Sequence, residues 1–143
     1  SGISIIALSG FLLVSSISSK NEPIAIMCAI SIGALITYLF FNAKPALVEM
    51  GDTGSLALGT LLASIAFSTN RPILLIFFCG VFYLELLSSV IQGLGRRILG
   101  RRIFKMAPLH HHFEMKGMSE EKIVVSFWIM AMIFFMGGLW FIL

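Results

Sequence analysis

Two short stretches of this 143-residue chain concentrate the residue types that handle phosphate. The first runs from Asn42 to Ser55, as Asn-Ala-Lys-Pro-Ala-Leu-Val-Glu-Met-Gly-Asp-Thr-Gly-Ser. Within it Asp52 lies between Gly51 and Gly54, just ahead of Ser55 and the next apolar run. A carboxylate on backbone that a ligand can approach closely suits a Mg2+ ion or a phosphate–metal complex. The amides of Gly54 and Ser55, at the start of a helix, favour an anion. The competing reading makes Asp52 a helix N-cap only, with glycines serving the turn.

The second stretch, Met106-Ala-Pro-Leu-His-His-His-Phe-Glu114, holds all the histidines of the chain: His110, His111 and His112. Neighbouring residues point about 100° apart on a helix and to opposite faces on a strand, so three consecutive imidazoles do not converge on one metal. A division of labour fits better. One or two imidazoles meet phosphate oxygens or act as a general base, and another holds the loop. Arg96, Arg97, Arg101, Arg102 and Lys105 precede the run and favour anions. The plain alternative is a surface run without chemistry. A third candidate is Glu85, with Gln92 on the same face of one predicted helix. The pair reads either as the lining of a cavity or, for Glu85 above all, as a buried contact between helices.

These stretches need elements to hold them, and the composition says which. The chain is 58% hydrophobic and 12% charged, against about 25% charged residues in soluble domains. The apolar residues come in blocks, and about 20 helical residues cross a bilayer core of about 30 Å. The predicted fold is therefore all-α, a polytopic transmembrane bundle with five spanning helices near 1–19, 23–41, 54–69, 72–95 and 123–143. The segments 42–53 and 96–122 become its polar loops. Pro23 and Pro72 fall in the first turns of their helices, where a missing N–H is tolerated. Ser119 is a predicted N-cap, followed by Glu120 and Glu121 at the positive helix end. Cys28 and Cys79 lie inside apolar blocks and read as core residues rather than disulfide halves or ligands. Trp128, Trp140 and the many Phe read as packing or lipid-facing residues.

The basic cluster after the fourth predicted span, completed by Lys116 and Lys122, marks 96–122 as cytoplasmic; Lys20 and Arg71 stand alone on the other side. Two crossings separate 96–122 from 42–53, so both polar segments are predicted on the cytoplasmic face. Basic residues beside a membrane span point to anionic lipid rather than nucleic acid. The sequence opens at Ser1-Gly-Ile, in mid-hydrophobic sequence, which reads as a cut end.

The strings Met50-Gly-Asp-Thr-Gly-Ser-Leu and Arg102-Ile-Phe-Lys-Met-Ala-Pro-Leu-His-His-His-Phe-Glu-Met-Lys-Gly117 resemble the phospho-N-acetylmuramoyl-pentapeptide transferases. These form a branch of the polyprenyl-phosphate N-acetylhexosamine-1-phosphate transferase superfamily. The resemblance runs from Ser1 to Leu143. It implies the last five of ten transmembrane helices in a multi-pass enzyme of the bacterial inner membrane. The implied reaction transfers phospho-N-acetylmuramoyl-pentapeptide from its uridine diphosphate carrier to undecaprenyl phosphate, giving lipid I and uridine monophosphate with Mg2+. Membrane lipids are implied partners, and a second copy of the chain is a candidate one. By resemblance Asp52 is the Mg2+-binding acid, and His110, His111 and His112 are the triple-histidine motif that binds phosphates and serves catalysis. Asn42 and Gln92 fall where the family lines the nucleoside pocket. Glu49 departs from the pattern, because the family carries an aromatic residue there that stacks on uracil, and a carboxylate cannot stack. The family's paired aspartates and its Asn-x-x-Asp-Gly motif lie upstream of Ser1, so the resemblance implies that these residues are not active by themselves.

Three rivals remain at this stage: a sister transferase using UDP-N-acetylglucosamine, an ion-coupled transporter relaying protons through Asp52, Glu85 and His, and a non-catalytic scaffold.

Overall fold

A computed structural model describes residues 1–17, 21–43, 45–100, 103–104 and 106–142. Lys20, Arg101, Arg102 and Lys105, all counted in the charge argument above, lie outside the described residues, as does Lys44. The described residues form seven helices and no strand: α1 (Gly2–Ser16), α2 (Glu22–Asn42), α3 (Asp52–Ser68), α4 (Leu74–Phe78), α5 (Gly80–Leu99), α6 (Leu109–Glu114) and α7 (Glu120–Ile142).

Helices form here because apolar side chains dominate and the polar ones bond to their own backbone. Ser9 donates to the Ile5 carbonyl at 2.8 Å, Ser31 to Met27 at 2.7 Å, Thr60 to Leu56 at 2.9 Å and Ser126 to Lys122 at 2.7 Å. A hydroxyl satisfied within its own helix costs little in an apolar medium. Among the described residues α2 and α7, with 21 and 23 residues, are long and apolar enough to cross a membrane. The other predicted spans have a different form. α1 has 15 residues and α3 has 17. The predicted fourth span, 72–95, is not one helix. It divides at Cys79, whose φ of −105° and ψ of 17° leave the helical region. The break follows a tight first turn, where Leu74, Leu75 and Ile76 each bond a carbonyl three residues back.

The helix ends carry their own signals. Glu22 and Pro23 open α2. Asn70 takes a φ of 55° between α3 and α4, a conformation asparagine tolerates. Gly100 ends α5 with a φ of 64°, the left-handed C-terminal stop that glycine supplies without a Cβ penalty. The Ser119 carbonyl accepts the Ile123 amide at 3.1 Å, which starts α7 where expected.

Two apolar centres hold the bundle. In the larger, Phe78 of α4 is buried between α1 and α7, edge-on to Phe11 at 5.1 Å and tilted against Phe135 at 5.9 Å. The approach is possible because Gly10 and Gly138 face that ring. A Cβ on Gly10 would come within 2.8 Å of it and one on Gly138 within 2.6 Å. Small residues let membrane helices close in this way. The smaller centre comprises Val81, Ile123, Phe127 and Ala131, with Leu109 and Phe113 of α6 packed against it.

Both polar segments sit at one end of this bundle. One cavity is lined by Ser1, Asn42 and Val124, a second by Ser1, Met50 and Ser55, and a third by Ile3, His110 and Glu120. Ile17, Asn21, Arg71 and Ile142 line a cavity at the other end.

Candidate functional site

The first polar segment is built around the end of α2. Asn42 donates its side-chain amide to the Val48 carbonyl at 2.9 Å, and the Leu47 amide bonds Phe41 at 2.9 Å. The loop is thereby folded back on the helix that precedes it. It delivers Gly51 as the N-cap of α3 and Asp52 as the first helical residue, with no side-chain cap bond. The capping alternative for Asp52 therefore does not hold. Ser55 donates to the Asp52 backbone carbonyl at 2.9 Å, leaving the carboxylate alone. That carboxylate is exposed and makes no hydrogen bond or ion pair among the described residues. Glu49 is exposed on the same loop.

The second segment is built on α6. Leu109 and Phe113, one turn apart, pack down on Val81 and Phe127, and the Phe113 ring lies 6.4 Å from that of Phe127. The three histidines lie between these two anchors, with the rings of His110 and His111 4.2 Å apart and tilted by 47°. His110 Nδ1 lies 3.0 Å from Glu85 Oε2 of α5. His111 Nδ1 lies 2.7 Å from Glu114 Oε2, one helical turn on. The His112 ring meets Phe104 edge-on at 5.8 Å. Each imidazole thus meets a different polar or aromatic neighbour, while those of His110 and His111 also touch each other.

Gln92 is 4% exposed. Its Nε2 donates to the Phe104 carbonyl at 2.9 Å, and its Oε1 accepts the amides of Ile103 and Phe104 at 3.1 and 2.9 Å. Both ends of the amide are spent on the loop that leads to the histidines. Gln92 and Asn42, expected at a nucleoside pocket, each tie a polar loop to a helix in this structure.

Two of the cavities at this end bear on the histidines and on the start of α3. One, of about 340 Å³, is lined by Glu85, His110, Glu114 and Glu120 on a floor that includes Phe82 and Phe127. The other, of about 480 Å³, lies between α1, α3, α4 and α5, and is almost wholly apolar apart from Ser1, Ser4, Ser55 and Tyr83. Phe82 lines both. Asp52 and Glu49 touch neither, and no contact among the described residues joins Asp52 to a histidine. Among the described residues no three His, Cys, Asp or Glu side chains group closely enough to hold a metal. Asp52 therefore offers a single hard oxygen ligand. That suits Mg2+, which uses one or two carboxylates and completes its shell with water and substrate phosphate.

The Glu85–His110 contact spans 25 residues of sequence. Sequence reasoning paired Glu85 with Gln92 on one helix face and joined it to histidine only in the transporter alternative. The one available signal for the position of α6 was the Leu109/Phe113 spacing, which marks an apolar face between which the histidines must project.

A family model described as glycosyl transferase family 4 matches residues 1–70. A phospho-N-acetylmuramoyl-pentapeptide-transferase from a Geobacillus species is 49% identical over 117 residues, which is 82% of this chain and 36% of that protein. One from Bacillus cytotoxicus is 44% identical over 128 residues, 90% of this chain and 39% of the relative. One from Geobacillus kaustophilus is 48% identical over 117 residues. The chain belongs to the phospho-N-acetylmuramoyl-pentapeptide transferase family. It spans a little over a third of the length of the curated transferases it matches. Identity at this level, over most of the chain, carries both polar segments and the helices between them into one family framework.

Proposed function

We propose that this chain supplies part of the active site of a membrane enzyme that transfers phospho-N-acetylmuramoyl-pentapeptide from its uridine diphosphate carrier to undecaprenyl phosphate. The products are lipid I and uridine monophosphate, so the reaction serves peptidoglycan synthesis. The observation that carries the reading is the placement of Asp52 and the triple histidine at the same end of the bundle in a chain 44–49% identical to transferases of that name. The apolar lengths favour five spans in the bacterial inner membrane, with the fourth made of α4 and α5 in succession. The basic residues after α5 favour the cytoplasmic side for the reacting end. All 143 residues would then belong to one integral membrane domain, with a second copy of the protein a candidate neighbour.

The chemistry is phosphoryl transfer between two anions, so charge has to be managed first. Asp52 would hold Mg2+, which would offset charge on the diphosphate and on the departing uridine monophosphate. His110, His111 and His112 would donate hydrogen bonds to phosphate oxygens, and Arg96 and Arg97 would draw the nucleotide to the membrane surface. Asn42 and Gln92 would contribute by holding the two loops in place, and Glu49 would face the nucleobase side. The apolar cavity between α1, α3 and α5 suits a polyprenyl chain arriving from the bilayer.

The test is Mg2+-dependent release of uridine monophosphate by the full-length protein in lipid or detergent. Asp52→Ala is expected to abolish turnover while the helix content and melting temperature hold. Retained turnover in that variant would remove the metal role. Turnover with UDP-N-acetylglucosamine alone would favour the sister transferase, and ion flux without nucleotide cleavage a transporter.

A further inference from the structure

We propose that Glu85 is a positioning residue for His110, fixing the orientation and tautomer of that one imidazole within the triple-histidine run. The inference rests on the transferase reading above and adds to it a residue that belongs to neither polar segment. The geometry is direct: His110 Nδ1 and Glu85 Oε2 are 3.0 Å apart. An ionised carboxylate only accepts, so Nδ1–H donates and Nε2 is left as the ring nitrogen that takes a proton and, once protonated, donates to a phosphate oxygen. The burial runs the same way. The Glu85 side chain is 20% exposed and that of His110 39%, so the carboxylate stands on the protected side and the imidazole on the open side.

A structural contact between helices explains Glu85 poorly. Its Oε1 is buried and has no hydrogen-bond partner among the described residues. Ser88 and Ser89 on the same helix bond the Glu85 backbone carbonyl, not its carboxylate. An orphaned carboxylate oxygen at this depth is costly, and an apolar residue would avoid that cost. The one polar contact that the side chain makes among the described residues is the one to His110. Of the other two histidines, His111 meets Glu114 and the ring of His110, and His112 meets Phe104 edge-on. His110 is held from another helix, on a ring-to-helix bond that the Leu109/Phe113 anchor keeps in register.

Full-length protein carrying Glu85→Gln, Glu85→Asp, His110→Ala and the double variant Glu85→Gln/His110→Ala tests the assignment. Glu85→Gln keeps size and hydrogen bonding but can present an amide to Nδ1. It is expected to lower kcat roughly 10- to 100-fold, the range for partners that orient an imidazole, with KM for the nucleotide sugar nearly unchanged. In the His110→Ala background the same change is expected to add nothing. Nitrogen-15 spectra of labelled histidine are expected to show His110 as the Nδ1–H tautomer, lost in Glu85→Gln. Full kcat in Glu85→Gln, or losses that multiply in the double variant, overturn the proposal. If the parent protein releases no uridine monophosphate, the transferase reading fails and the spectrum alone decides the positioning role. If Glu85→Gln does not fold, the spectrum of Glu85→Asp, whose shorter arm withdraws the oxygen, decides it: an unchanged tautomer and line position refutes the assignment.

Discussion

Replacing Gln92 by leucine removes one side chain and frees an entire loop. The shape is nearly kept, so the buried surface of α5 changes little. Three hydrogen bonds disappear, from Nε2 to the Phe104 carbonyl and from the Ile103 and Phe104 amides to Oε1. Each is worth about 0.5–1.5 kcal/mol net, so the sum lies near 1.5–4.5 kcal/mol. Ile103 is 47% exposed, so water can take over part of that bonding and the lower half applies. A loss of about 2 kcal/mol shifts the docking equilibrium of the loop about 30-fold. Hydrogen exchange followed by mass spectrometry reads this directly in the full-length protein. Amides of 103–115 are expected to exchange about 30-fold faster, with α2 and α7 unchanged. Turnover should fall with them, because the same loop carries the histidines. Unchanged exchange together with weakened nucleotide binding would refute the reasoning and return Gln92 to direct contact with the nucleoside.

Other outcomes follow from the same geometry. Glu49→Phe restores the aromatic residue that the family resemblance expects on an exposed loop. Nucleotide affinity by calorimetry should be unchanged or tighter, and a large loss would show that Glu49 has a contact of its own. Gly138→Ala puts a Cβ within 2.6 Å of the buried Phe78 ring and 2.9 Å of Phe77 Cβ. Overpacking of this kind costs about 1–3 kcal/mol, visible as a lower melting temperature, while Gly33→Ala, which meets nothing within 4 Å, should leave stability nearly unchanged. A Gly138→Ala protein with unaltered melting would remove Phe78 from the centre of the bundle.

Much of the molecule was legible along the chain. Apolar block lengths and the proline and serine signals located α2, α3 and α7 to within a few residues, because helix ends are chosen by local chemistry. The family was legible too, since Gly51-Asp-Thr-Gly54 and the triple histidine are contiguous strings. That Asp52 would be free rather than a cap was not legible, because Gly51 and Asp52 compete for one position and only backbone geometry chooses between them. The break at Cys79 was hidden in the same way: an unbroken apolar block says nothing about whether the helix inside it is continuous.

What the sequence by itself determined is the inventory: membrane-length helices, two polar segments, a carboxylate and three imidazoles. Which of those groups meet was decided only in three dimensions. Glu85 reaches His110 across 25 residues, and Gln92 reaches Phe104 across 12. Such pairs depend on how α5, α6 and α7 pack, through Val81, Phe113 and Phe127, and not on spacing within any one helix. Periodicity reports the face of a helix; it carries no information about what another helix will bring to that face.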